Sequence, residues 1–191
     1  MTILILGLIL FLGLHSIRIF AEDWRNRVRA RMGLLPWRAL YSVVSITSLL
    51  LIIWGYSLAR QAPIVIWTPP PFTRHLAALL AVIAFVFIAA AYVPRNGIKA
   101  RLHHPMTLGI KTWALAHLIA NGTLHDILLF GSFLIWAILL FRASRKRDAA
   151  LGTIYPQGRG GATALTIVAG IAGAIIFALW LHLPLIGVRP F

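Results

Sequence analysis

The amino-acid sequence predicts an all-α polytopic membrane protein, one domain over residues 1–191 that forms a bundle of six transmembrane helices. Hydrophobic residues make up 60% of the 191 residues, and the mean hydropathy is +0.88. Charged residues make up only 12%, which is about half their usual share in a soluble domain. Long apolar runs recur along the whole chain, so we expect its solvent to be the lipid bilayer.

Six apolar runs are each about 18–21 residues long. A helix of that length crosses about 30 Å of hydrocarbon at about 1.5 Å per residue. The runs cover residues 2–21, 39–59, 75–93, 104–121, 124–141 and 163–183. The fourth is the most polar, because it contains Lys111, His117 and Asn121. The last is rich in glycine and alanine, which allows close packing within or between chains.

The distribution of basic residues predicts the orientation of the bundle. Loops 22–38, 94–103 and 142–162 hold thirteen of the eighteen lysine and arginine residues. Basic loops stay in the cytoplasm, so both termini are expected on the periplasmic side. The net charge of +14 does not indicate a nucleic-acid partner, because the basic residues flank apolar runs instead of lining one polar face.

Two segments between the runs have a distinctive composition. In residues 23–32, Trp24, Val28 and Met32 recur at every fourth position with arginines between them. This pattern predicts a short helix that lies in the membrane interface on anionic lipid. Residues 63–73 are apolar and rich in proline, which predicts a rigid cap over the mouth of the bundle.

Several kinds of catalytic chemistry are excluded by composition. The chain has no cysteine, so it has neither disulfides nor thiolate chemistry. No serine–histidine–carboxylate set, phosphate loop or pair of carboxylates can be assembled within the predicted helices. The catalytic residues, if there are any, stay unassigned.

His15 and Arg18 lie on one face of the first predicted helix, since they are three residues apart. His15 is seven residues before Glu22, which places it roughly 10 Å from the cytoplasmic boundary. An imidazole with a cation one turn nearer the surface suits an anionic cofactor such as haem, with iron on His15 and a propionate on Arg18. The alternative is that Arg18 extends to a lipid phosphate.

The fourth predicted helix carries two polar stripes. His104, Thr107 and Lys111 form one stripe, and a second on the opposite side contains Trp113, His117 and Asn121. Polar groups within the membrane are candidates for function, although a histidine there also often bonds only to a neighbouring helix. None of the four acidic residues lies in the core of a predicted helix, so we expect Lys111 to bind an anionic ligand.

Short motifs distributed over about residues 5–140 resemble the NnrU family. They are Gly13-Leu-His-Ser-Ile-Arg-Ile-Phe20, Leu40-Tyr-Ser-Val-Val-Ser45, Trp54-Gly-Tyr56, Trp67-Thr-Pro-Pro70, Arg74-His-Leu76, Ala91-Tyr-Val-Pro94, His104-Pro-Met106, Leu115-Ala-His117 and Ala120-Asn-Gly122. The resemblance implies a multi-pass protein of the bacterial inner membrane, linked to nitrite and nitric oxide reduction. The final helix, about residues 163–183, adds nothing distinctive to it.

The NnrU family is also similar to 15-cis-zeta-carotene isomerase, which carries haem b on histidines and isomerises a double bond when the iron is reduced. The resemblance therefore implies haem b as cofactor, with His15 and His117 as iron ligands. It also implies cis–trans isomerisation of a polyene as a possible activity. Residues expected to contact the cofactor are Arg18, His104, Lys111, Trp113 and Asn121. His117 lies roughly 20 Å deep and His15 roughly 10 Å, so a shared haem requires a steep inclination or tilted helices.

Two other functions remain open. His104-Pro105-x-x-x-Gly109 resembles the start of a helix in membrane methyltransferases and sterol reductases, which hold a nucleotide-bearing cofactor on the cytosolic side. A site of that class would use Arg101, His104 and Lys111. The third hypothesis is a non-enzymatic assembly factor for a respiratory reductase. The sequence leaves open the choice between a polyene and an apolar small molecule as substrate, and also the oligomeric state.

Overall fold

A computed structural model describes residues 1–190 and is built of α-helices. The helices are α1 (Thr2–Phe20), α2 (Glu22–Met32), α3 (Leu34–Ala59), α4 (Phe72–Tyr92), α5 (Gly97–Leu102), α6 (Pro105–Ala120), α7 (Leu124–Leu151) and α8 (Gly160–Ile176). The last continues through a π-helical segment, Phe177–Leu181, into α9 (His182–Ile186). The all-α prediction is confirmed.

Five helices are long and apolar enough to cross a membrane: α1, α3, α4, α7 and the continuous helix Gly160–Ile186. They correspond to five of the six predicted spans. The remaining one, predicted over residues 104–121, forms α6, which has 16 residues where a membrane span usually needs about 20. The six-span count therefore stays a prediction.

Helix boundaries differ from the predicted runs where helix propensity and hydropathy disagree. The fifth run was predicted to end at residue 141, but α7 continues to Leu151. Residues 142–151 are polar, yet they are mostly good helix formers without glycine or proline. The helix ends only before Gly152, which has a φ of +59°, a conformation that glycine adopts without strain. In the same way, α3 begins at Leu34, directly after Gly33.

By their internal contacts, the residues form two compact units. The first unit contains Met1–Thr68 and Gly122–Leu140; the second contains Pro69–Asn121 and the chain from Phe141 onward. The helix α7 therefore contributes its first part to one unit and its last part to the other.

In the first unit, α1 packs along α3. Leu4, Leu8 and Ile52 form its buried core. The two backbones approach closely at Gly55, where an added Cβ would overlap the backbone of Leu4. Small residues let membrane helices approach in this way, because dispersion contacts replace the hydrophobic driving force that lipid removes.

The prediction that residues 23–32 form a helix is confirmed by α2, in which no residue is buried. The segment predicted as a cap is held by backbone hydrogen bonds within the first unit. Ile66 N–H donates to Gly122 O at 2.8 Å, and Leu124 N–H donates to Ile64 O at 2.8 Å. These two bonds fix residues 64–66 beside the chain that enters α7.

In the second unit, α4 packs against both α6 and α8. A Cβ added at Gly170 of α8 would come within 2.5 Å of the Val86 Cα on α4. The small residues predicted to permit close packing in the last helix therefore do so within the chain.

Candidate functional site

His15 lies in an aromatic surround formed by three helices of the first unit. The Phe11 ring stacks on the imidazole with centroids 4.2 Å apart and an interplanar angle of 25°. Tyr41 of α3 and Trp136 of α7 meet it edge-on, at centroid distances of 5.3 and 6.2 Å. These contacts restrict the rotation of the His15 ring, as expected for a side chain whose orientation matters.

The hydrogen bond of His15 determines which ring nitrogen can act as a ligand. Its Nδ1 lies 2.7 Å from Phe11 O, one turn earlier on α1. A carbonyl oxygen only accepts, so Nδ1 carries the proton and Nε2 of the neutral ring keeps its lone pair. A backbone carbonyl on one nitrogen is the usual partner of a histidine that binds a metal through the other.

His117 of α6, in the second unit, has the same arrangement. Its Nδ1 lies 2.9 Å from Trp113 O, so its neutral ring also carries the lone pair on Nε2. The Trp113 and His117 rings are 5.3 Å apart, and Asn121 Nδ2 donates to His117 O at 2.9 Å. The predicted stripe of Trp113, His117 and Asn121 is therefore a chain of direct contacts along α6.

The two cations predicted to hold an anionic cofactor have protein partners. Arg18 Nε lies 3.8 Å from Glu22 Oε1, and the Arg18 side chain is 58% exposed. Exposed pairs of this kind contribute little to stability. Lys111 Nζ lies 4.3 Å from the centroid of the Phe141 ring. Its neighbour is thus an aromatic face, which attracts a cation without neutralising it.

His104 belongs to a polar cluster in the second unit. Its Nε2 lies 2.8 Å from Asp148 Oδ2, although the direction of approach departs from that of an ideal hydrogen bond. Tyr155 O–H donates to the same oxygen at 2.8 Å. His103 stacks on Tyr155 with centroids 4.2 Å apart and planes 6° apart, and Arg145 Nη1 lies 3.1 Å from His103 Nδ1.

Burial and charge set the protonation of this cluster. Burial lowers the pKa of His104, while the neighbouring Asp148 carboxylate raises it and so partly offsets that effect. Burial, followed by the hydrogen bond to Asp148, raises the pKa of Tyr155 to about 12. At neutral pH, His104 is therefore a neutral imidazole and Tyr155 a neutral donor.

Asp148 and Tyr155 were missed as site residues. The fifth helix was predicted to end at residue 141, which left Asp148 in a loop and Tyr155 unassigned. The signal that could have found Asp148 is the absence of helix breakers between Arg142 and Gly152. Helical spacing then places Arg145 and Asp148, three residues apart, on the same face of α7.

A second carboxylate, Asp126, is buried in the first unit. It accepts hydrogen bonds from Tyr56 O–H at 2.6 Å and from Thr123 O–H at 2.5 Å. Thr123 directly precedes α7, and Asp126 lies in its first turn, where the helix dipole stabilises a negative charge.

Within residues 1–190, no group of three or more histidine, cysteine, aspartate or glutamate side chains could hold a metal ion. A haem needs only one or two protein ligands, because the porphyrin nitrogens supply the others. Either His15 or His117 could therefore serve as a haem ligand without a second metal-binding side chain beside it.

Comparison with models of protein families gives a match over nearly the full chain. The family model described as NnrU protein matches residues 3–190, so the match also includes the last helix. No curated protein and no solved structure matches the chain significantly. With nearly every residue covered by the family model, this multi-pass membrane protein belongs to the NnrU family.

Proposed function

We propose that this chain binds haem b in the bacterial inner membrane, through His15 and His117. It would act in nitrite and nitric oxide metabolism or as a redox-dependent cis–trans isomerase of a polyene. The observation that supports the proposal is the shared orientation of the two imidazoles. Each Nδ1 is directed at its own helix carbonyl, which places the lone pair of the neutral ring on Nε2, the atom that would bind iron.

The surroundings of the two histidines fit a haem. A porphyrin is large, flat and apolar, and the His15 site offers the aromatic faces of Phe11, Tyr41 and Trp136. On α6, Trp113 provides another such face beside His117. Its propionates need positive charge, which Arg18 or Lys111 would supply. The chemistry of the residues therefore agrees with both parts of the cofactor.

When bound, haem supplies reversible one-electron redox chemistry. The protein's part is to keep each imidazole neutral, hold its orientation and exclude water from the aromatic surround. Both substrate classes, a small apolar gas and a long polyene, would enter from the bilayer. His104, Trp113 and Asn121 would contribute contacts to the cofactor or to the substrate.

The proposal includes six membrane spans with both termini in the periplasm. In this arrangement α6 crosses the bilayer despite its 16 residues. A short span is accommodated by local thinning of the bilayer. The positive-inside distribution supports this arrangement, because it keeps every arginine-rich loop in the cytoplasm.

The first test is an absorption spectrum of the full chain, purified in mild detergent after expression with a haem precursor. We expect a Soret band in the oxidised protein and sharp α and β bands after reduction with dithionite. His15→Ala and His117→Ala should each lower the haem content or convert the spectrum to high spin. His75→Ala, at the exposed start of α4, is the matched control and should leave the spectrum unchanged.

A flat visible spectrum, together with a negative pyridine haemochrome assay and failed reconstitution, would overturn haem binding. If haem binds but neither His15→Ala nor His117→Ala alters its spectrum, the ligand assignment is wrong while haem binding stands.

The His104 cluster supports a second candidate, an enzyme with a cofactor pocket on the cytosolic side, of the methyltransferase or reductase kind. A neutral imidazole beside the carboxylate of Asp148 is a common arrangement for proton transfer. Saturable binding of S-adenosylmethionine or NADPH, lost in His104→Ala, would support this candidate. The absence of binding up to millimolar concentration would exclude both cofactors.

A further inference from the structure

Trp136 of α7 is 8% exposed, and its indole Nε1 has no hydrogen-bond partner among residues 1–190. Buried tryptophans normally find an acceptor for this N–H, since a donor removed from water without one is costly. Trp136 lies six residues before Arg142, so it is roughly 10 Å inside the hydrocarbon, where water is scarce. Water is therefore a poor source of the missing acceptor, and a ligand could provide it.

The ring contacts of Trp136 satisfy no hydrogen bond of its indole N–H. Its ring lies perpendicular to that of His15, at 86° with centroids 6.2 Å apart. It also meets the Phe133 ring at 79° and 6.3 Å. The carbonyl nearest to the imidazole, Phe11 O, already accepts from His15 Nδ1. The unpaired donor thus belongs to a ring that contacts the imidazole of the proposed iron ligand edge-on.

A second donor in the same unit is also without a partner in the described part of the chain. Ser45 Oγ is buried and makes no hydrogen bond there. Ser45 lies one turn beyond Tyr41 on α3, and the Tyr41 ring is 5.3 Å from the His15 ring. Two unpaired donors on α3 and α7, the helices that flank His15, suit a ligand that brings its own oxygen acceptor.

We propose that the indole N–H of Trp136 donates a hydrogen bond to a carboxylate of the ligand bound at His15, namely a haem propionate. This inference rests on the proposed haem binding. The edge of haem b carries methyl and vinyl groups besides its two propionates, so the carboxylates are its only peripheral acceptors. Arg18, one turn from His15 towards the cytoplasmic end of α1, adds the positive charge that a carboxylate needs at this depth.

Titration of the full-length apoprotein in lipid nanodiscs tests this assignment. The probes are haemin and haemin dimethyl ester, in which both carboxylates are blocked. Trp136→Phe removes the donor and keeps an aromatic ring. We expect it to weaken haemin binding about tenfold or more, as for one hydrogen bond to a charged group, and to change ester binding little. Trp37→Phe, at an equally buried tryptophan of α3, should preserve the wild-type preference for haemin over the ester.

Ultraviolet resonance Raman spectroscopy of the wild type gives a readout that survives poor folding of the variant. The indole band sensitive to hydrogen bonding should shift with haemin and not with the ester. If wild type binds haemin but shows no such shift, or if Trp136→Phe binds haemin as tightly as wild type, the donor role is wrong while haem binding stands. If wild type binds neither porphyrin, both the proposed function and this inference fail.

Discussion

At the scale of the residue, the three histidines differ in their nearest polar partner. His15 and His117 contact backbone carbonyls of their own helices, whereas His104 faces the Asp148 carboxylate. A carbonyl that accepts from Nδ1 places the lone pair of a neutral ring on Nε2. The carboxylate raises the pKa of His104 and partly offsets the larger lowering by burial. The first two are thus suited to bind a metal, and His104 is suited to transfer a proton.

The pKa of His104 provides a test with a definite sign. The Asp148 carboxylate raises this pKa, and the Arg145 guanidinium lowers it. Asp148→Asn should therefore move the His104 titration to lower pH in an NMR experiment with labelled histidine. Arg145→Gln is the opposite-sign control and should move it to higher pH. Equal shifts in the same direction would show that His104 does not sense these charges.

The same residue links stability to pH. Because the pKa of folded His104 lies below its usual value of 6.5, folding favours the neutral ring. The contribution of neutral His104 to the free energy of unfolding is complete above pH 6.5. It is lost as the pH falls below that value, because the unfolded chain then binds the proton more tightly than the folded chain does.

At the scale of the element, composition predicted the spans well and their ends poorly. Hydropathy located α1, α3, α4, α7 and the last helix, because about 20 apolar residues have few other solutions. It could not locate the end of α7, since Arg145 and Asp148 are helical without being apolar. The i, i+4 contacts of His15 and His117 follow from helical spacing, but the approach of Trp136 to His15 depends on tertiary packing and had no signal in the sequence.

Close approach of helices predicts a contrast between two glycines of the first unit. Gly55→Ala should destabilise the protein by about 1–3 kcal/mol, as overpacking does, because the new methyl group overlaps the Leu4 backbone. Gly13→Ala is the matched control: nothing in the described chain lies within 4 Å of its Cβ position, and alanine favours the helix. Reversible unfolding in mixed micelles measures both, and equal stability of the two variants would contradict this packing.

At the scale of the whole molecule, the status of α6 decides the topology. With six spans, both termini lie in the periplasm and the segment between α7 and α8 lies in the cytoplasm. If α6 does not cross, that segment lies in the periplasm and the C-terminus in the cytoplasm. The sequence has no cysteine, so single cysteines report location directly. We expect Gln61→Cys and Val188→Cys to react with an impermeant maleimide on intact cells, and Arg27→Cys and Ala150→Cys to react only after lysis. Labelling of Ala150→Cys on intact cells would show that α6 does not cross.

The first unit is discontinuous along the chain, since residues 69–121 separate its two parts. During synthesis, Tyr56 leaves the ribosome about seventy residues before Asp126, its hydrogen-bond acceptor. The backbone groups of Ile64 and Ile66 are likewise synthesised well before their partners, Leu124 N–H and Gly122 O. The pair α1 and α3 is therefore made before the partners of the Tyr56 hydroxyl and of the peptide groups at residues 64 and 66 exist. A ribosome stalled before residue 122 would present that intermediate to chaperones and proteases, and the arrival of α7 would end its exposure.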